Sequence, residues 1–219
     1  CLQYPVALFG TLRAGLIVAN VNPLYTPREL AHQVNDAGTK TIVVIENFAH
    51  VLEEVMDVTN IDNIITTQLA DLQKQPWRSV VNATLKYAKK MVPEFSLPSA
   101  VSFRHALKAG SKHRFEQQPV LSDDLAFLQY TGGTTGVPKG AEHHHDMMMW
   151  FCRQLMTQWR LGFDIERILT VAPIFHIWGH HFANIAPLYL RATLVMLPEY
   201  RPAAVLDQIA RHRITVFAG

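Results

Sequence analysis

Residues 128–140 read Leu-Gln-Tyr-Thr-Gly-Gly-Thr-Thr-Gly-Val-Pro-Lys-Gly, a strand running into a loop of hydroxyls, glycines and a single lysine. That composition suits phosphate. Gly132, Gly133 and Gly136 can take positive φ, so their neighbouring backbone N–H groups are free to converge on an anion. Thr131, Thr134 and Thr135 add hydroxyl donors, and Lys139 adds a flexible point charge at the far end.

The Walker loop, Gly-x-x-x-x-Gly-Lys-Ser/Thr, does not fit, because counting from Gly132 or Gly133 puts Val137 or Pro138 where its second glycine must stand. Lys139 is also followed by Gly140, not by a hydroxyl residue. The run instead resembles the signature loop of the adenylate-forming superfamily, Tyr/Phe-Thr-Ser/Thr-Gly-Ser/Thr-Thr-Gly-x-Pro-Lys-Gly, at nearly every position. Residues 2–10, 20–30 and 124–130 are similar to bacterial long-chain fatty-acid CoA ligases. The likeness covers nearly the whole chain and loosens after Gly140.

The resemblance implies a two-step reaction. A fatty carboxylate attacks the α-phosphorus of ATP to give acyl-AMP and pyrophosphate; the coenzyme A thiol then displaces AMP. Two anions must meet, so phosphate charge has to be neutralised by the loop and by Mg2+. It further implies that Tyr130, Thr131, Gly132, Gly133, Thr134, Thr135, Gly136, Lys139 and Gly140 hold ATP, that Thr131 helps to hold Mg2+ with an acidic ligand further along the protein, and that Lys139 is catalytic.

A second constellation is Ala172-Pro173-Ile174-Phe175-His176-Ile177-Trp178-Gly179, a strand end running into a helix. Ligands of open parallel sheets bind beyond the carboxyl ends of strands, which places this junction and the loop at one crevice. By the resemblance, His176 lies near the substrate carboxylate as the second catalytic residue, and Phe175, His176, Ile177, Trp178, Gly179 and His180 shape the acyl pocket, with Gly179 leaving space beside the bulky Phe175, Trp178 and His180. Without the resemblance, His176 reads as a buried histidine bonded to backbone.

The pattern is broken after the loop, where His143 is followed by His144, His145 and Asp146: His145 lands on the family histidine, but His144 stands at its Ser/Thr position and Asp146 at its arginine position. The helix that follows loses a good cap unless Asp146 takes that role. Three adjacent histidines with His180 and His181 elsewhere could suggest zinc, but neighbouring residues rarely point at one ion and no thiolate or acid stands at metal-site spacing.

These residues need a frame to hold them. At 219 residues, with 49% hydrophobic and 17% charged side chains, the chain can bury a core as one large domain; a net charge of +2 is too small to argue for nucleic acid, and no such partner is expected. Two cysteines make no disulfide framework and suit a reducing, cytoplasmic setting. Cys1 at the start and Gly219 directly after a strand read as cut ends, so residues 1–219 are expected to be part of the N-terminal AMP-binding domain of a longer enzyme, inactive alone.

Periodicity predicts helices over 4–14, 27–36, 49–58, 146–159, 179–190 and 202–212, alternating with strands over 16–21, 41–45, 63–66, 124–130, 167–172, 193–197 and 214–218. Thr26 and Pro27 mark one helix start, Pro202 another, and Gly38 a stop. The alternation implies an α/β fold of mostly parallel sheets flanked by helices. Residues 67–121, rich in glutamine and proline, interrupt it as an insertion with a helix or two. There Lys86, Lys89 and Lys90 share a helical face; an ordinary solvated face is the simpler reading, and peripheral contact with the inner face of a membrane the sharper one.

Two further readings stay open. One keeps the adenylation chemistry and changes the acid to an aromatic or amino acid; the other makes the chain a non-catalytic nucleotide-binding remnant.

Overall fold

A computed structural model describes residues 1–131 and 138–218. In chain order the elements are α1 Gln3–Arg13, β1 Val18–Asn20, α2 Pro27–Asp36, β2 Thr41–Ile45, α3 Ala49–Glu53, β3 Asn63–Thr67, α4 Trp77–Ala83, β4 Val101–Ser102, α5 Phe103–Gly110, β5 Leu125–Thr131, β6 Lys139–His144, α6 His145–Trp159, β7 Arg167–Thr170, α7 Ile177–His180, α8 Ala186–Leu190, β8 Thr193–Met196, α9 Pro202–His212 and β9 Val216–Ala218. The chain divides into two compact units, Cys1–Pro119 with Tyr130–Gly140, and Val120–Gln129 with Ala141–Gly219.

In the first unit β2, β3 and β4 form a parallel sheet in that order, with Val43 opposite Ile65 and Ile65 opposite Val101. Parallel strands need a crossover between them, and the segment carrying α3 supplies the one from β2 to β3, while α2 leads into β2 and packs on the same core. Leu30 and Val34 of α2, Leu52 of α3, and Val55, Ile61 and Ile64 make the buried cluster beneath. Helix α2 starts as the sequence predicts: the Thr26 hydroxyl accepts from the Glu29 amide, Glu29 accepts from the Thr26 amide at 2.8 Å, and Pro27 holds the first turn. Gly38 follows with φ +61, the left-handed turn that stops it.

The insertion docks through polar groups. Asn82 of α4 accepts from the Ala70 amide at 2.9 Å and donates to Gln68 Oε1 at 2.9 Å, while buried Asp71 accepts from Thr67 Oγ1 and the Gln68 amide, each at 2.9 Å. The π-helical turn Thr84–Ala88 continues α4.

In the second unit β7 is the central strand, parallel to β8 on one side and β9 on the other. Ile168, Leu169 and Thr170 are accordingly almost fully buried, and Leu190 and Val216 pack with Ile168. Buried Glu166 ties the strand ends, accepting from the Gly162 amide at 2.9 Å and from Thr215 Oγ1 at 2.5 Å. Lys139 and Gly140, expected in the loop, open strand β6, which runs on to His144, and the helix expected over 179–190 begins at Ile177 and carries a π-helical turn, His181–Ile185. Nor does Asp146 cap α6: His144 takes the cap position while its Nδ1–H donates to Asp123 O at 2.6 Å. The free amides of the first turn are met by backbone, His145 donating to Asp124 O and Asp146 to Ser122 O.

Candidate active site

Strand β5 delivers the chain to the segment of glycines and threonines that follows Tyr130. It is buried almost along its length, and Tyr130, next to last in the strand, is 9% exposed. Its hydroxyl donates to Asp36 Oδ2 on α2 at 2.5 Å. Burial, then the hydrogen bond to Asp36 and its negative charge, raise the tyrosine pKa, so the phenol stays protonated and keeps donating. The hydroxyl of Tyr130, a residue that the resemblance sets among those holding ATP, is thus engaged by Asp36.

On the far flank, Pro138 O lies 3.4 Å from His32 Nε2, again on α2. A Cβ on Gly140 would stand 3.0 Å from Cζ of the Tyr130 ring, so glycine there permits the close approach. Thr131 and Lys139 are both exposed, which leaves a hydroxyl and an ammonium open to a ligand. Gly132, Gly133, Thr134, Thr135 and Gly136 lie outside the described residues.

The second constellation sits where β7 ends. Gln129 of β5 donates from Nε2 to Phe175 O at 2.7 Å, and the His176 amide donates to Pro173 O at 3.0 Å, so the turn before α7 is held from both sides of Ile174. His176 is the N-cap of α7: its Nδ1 accepts from the Trp178 amide at 3.4 Å. An accepting Nδ1 puts the ring proton on Nε2, and the residue is exposed, so a N–H donor faces outward. It is bonded to backbone, as the structural reading expects, but it is not buried.

The space expected beside Gly179 is absent. A Cβ there would lie 2.2 Å from Pro173 O and 2.9 Å from Ala172 O, so the position is filled by backbone. Trp178 is 44% exposed and lies 4.6 Å, ring to ring, from the buried Phe182. His180 is fully buried at 4.5 Å from the Phe127 ring, and neither of its ring nitrogens has a hydrogen-bond partner among the described residues. Burial, then the neighbouring His181 and His143, push its pKa down to about 3, so it is neutral.

The family model described as AMP-binding enzyme matches residues 1–219. The chain belongs to the AMP-binding enzyme family. Among curated members, the long-chain-fatty-acid–CoA ligase of Haemophilus influenzae is 54% identical over the whole of this chain, which spans 40% of that relative. The corresponding ligase of Salmonella typhimurium is 49% identical, again over the whole chain and 39% of the relative. Among solved structures, ATP-bound MatB from Rhodopseudomonas palustris has a TM-score of 0.70 at 24% identity, over 99% of this chain and 37% of that one. The parallel α/β architecture is therefore that of the AMP-binding family.

Asp36, His32 and Gln129 were not singled out from sequence. Asp36 and His32 stand one helical turn apart and so share a face of α2, a signal present in the sequence but with no indication of what that face meets.

Proposed function

We propose that the protein carrying this chain is an AMP-forming ligase that joins a long-chain fatty acid to coenzyme A through an acyl-adenylate. The observation that carries this is the likeness, over the whole chain, to long-chain-fatty-acid–CoA ligases at 54% and 49% identity. Residues 1–219 then belong to the larger N-terminal domain, in a cytoplasmic protein.

In this reading Lys139 places its ammonium at the ATP phosphates, and Thr131 offers its hydroxyl. Thr131 Oγ1 has no hydrogen-bond partner among the described residues and is a hard oxygen donor, a fit for Mg2+. The ion, when bound, neutralises charge on the phosphates. His176 presents Nε2–H to the carboxylate or to the oxygens it meets at the α-phosphorus, and its tautomer is set by the Trp178 amide. Carboxylate oxygen bonds to phosphorus as pyrophosphate leaves; the thiol sulfur then bonds to the acyl carbon as AMP leaves.

Contact with a membrane surface belongs to the same proposal. Trp77, Tyr87 and Met91 are 65%, 73% and 51% exposed. In the sequence they are flanked by Lys74, Arg78, Lys86, Lys89 and Lys90, with no acidic residue from 74 to 91. Interfacial aromatics along a run of cations suit an anionic bilayer, where the acid substrate partitions.

The test is product analysis. The full-length protein with ATP, Mg2+ and coenzyme A should convert palmitate to palmitoyl-CoA and release AMP. Turnover of a hydroxybenzoate or an amino acid in preference to any fatty acid would overturn the substrate class.

A further inference from the structure

Helix α2 meets the chain on both sides of the phosphate loop, and all the residues involved lie in the first unit. Asp36 accepts from Tyr130 at 2.5 Å; His32, one turn earlier, lies 3.4 Å from Pro138 O. The helix is itself well anchored. Leu30 and Val34 are in the core, Gln33 Nε2 donates to Asn20 O at 2.9 Å, and Thr26 with Glu29 closes its first turn. Its last residues are therefore a fixed acceptor, not a mobile one. Tyr130 is buried with Gly140 close against its ring, so a shift of the tyrosine would be felt on the strand that begins at Lys139.

We infer that Asp36 is a positioning residue for adenylation: through Tyr130 it fixes where Thr131 stands relative to Lys139, and His32 braces the far flank through Pro138. Asp36 touches no substrate in this scheme. It rests on the reading of residues 131–140 as the phosphate-binding segment. Tyr130→Phe is the sharpest probe, since it keeps the ring against Gly140 and removes only the hydroxyl that reaches Asp36.

The experiment compares the full-length enzyme with Asp36→Ala, Asp36→Asn, Tyr130→Phe and the Asp36→Ala/Tyr130→Phe double variant in fatty-acid-dependent ATP–pyrophosphate exchange. Thermal melting is followed alongside. Asp36→Ala and Tyr130→Phe should each lower kcat/KM for ATP by about 10-fold, and the double variant should lose no more than either single, because both remove one bond. KM for the fatty acid should not move. Asp36→Asn keeps an acceptor and should recover most of the activity. Multiplicative losses in the double variant, an equal rise in KM for the acid, or unchanged exchange in the single variants would each overturn the inference. Lys139→Ala separates the two levels: if it slows exchange while the Asp36 and Tyr130 variants do not, only the role of Asp36 fails; if Lys139→Ala is itself without effect, the phosphate-binding reading fails with it.

Discussion

Gly179 and Pro173 approach so closely that a Cβ on residue 179 would stand 2.2 Å from the Pro173 carbonyl oxygen. Real side chains do not tolerate such a contact, so the start of α7 can pack on the end of β7 only with glycine at 179. The substitution Gly179→Ala should push the helix off the turn that carries His176, costing roughly 1–3 kcal/mol as an overpacked site does. The expected result is loss of activity with acids of every length together with a lower melting temperature. A variant that folds normally and merely prefers shorter acids would restore the idea of open space beside this glycine.

His176 combines a structural bond with an outward donor, and two substitutions separate them. Asn can still cap a helix, so His176→Asn should keep stability near wild type, whereas His176→Ala should lose about 1 kcal/mol. Both should lower turnover, by about 100-fold if Nε2–H stabilises charge developing on oxygen, and the loss should be the same for long and short acids. Denaturant unfolding and steady-state rates check the two halves. If His176→Asn were fully active, the ring would be a cap and nothing more.

The buried His180 sets an acid limit on the fold. Its pKa is held at about 3, mainly by burial, while an unfolded histidine titrates at about 6.5. Above that pH both states are neutral and the group costs nothing. Below it the unfolded chain takes a proton that the native chain refuses, so stability falls as pH drops from about 6.5 towards 3, by up to about 1.4 kcal/mol per pH unit. His181 and His143 are lowered too, burial being the largest cause for each, and add slope of the same sign. Unfolding free energies measured across this range should show a gentler fall in His180→Phe than in wild type. Equal slopes would mean that His180 finds a partner and charges in the native state.

Local chemistry was legible where one residue type has one use. Thr26, Pro27 and Gly38 bound α2 at the residues the sequence predicts, and Pro202 opens α9 as expected. The alternation of elements gave the parallel sheets, because the period of the apolar positions is set by the element itself. What escaped depends on partners distant in sequence. Strand β6 has the composition KGAEHH, which carries no strand pattern of its own. Asn82, which ties α4 to Gln68 and Ala70, looks in sequence like any surface asparagine. The bond between Tyr130 and Asp36 spans 94 positions, and a tyrosine beside a threonine-glycine loop reads more readily as a ligand contact than as a brace. Gly179 was recognised as special and given the wrong reason, since a glycine that admits a ligand and one that admits backbone look alike until the neighbour is seen.

If Lys139 and its loop serve adenylation of a fatty acid, as proposed, ATP–pyrophosphate exchange by the full-length protein, with and without palmitate, beside its Lys139→Ala variant, reports it without intermediaries. Exchange should depend on the acid in wild type and fall by about 10- to 1000-fold in the variant, the range for a lost transition-state donor. Exchange that ignores the acid, or that survives Lys139→Ala undiminished, would contradict it.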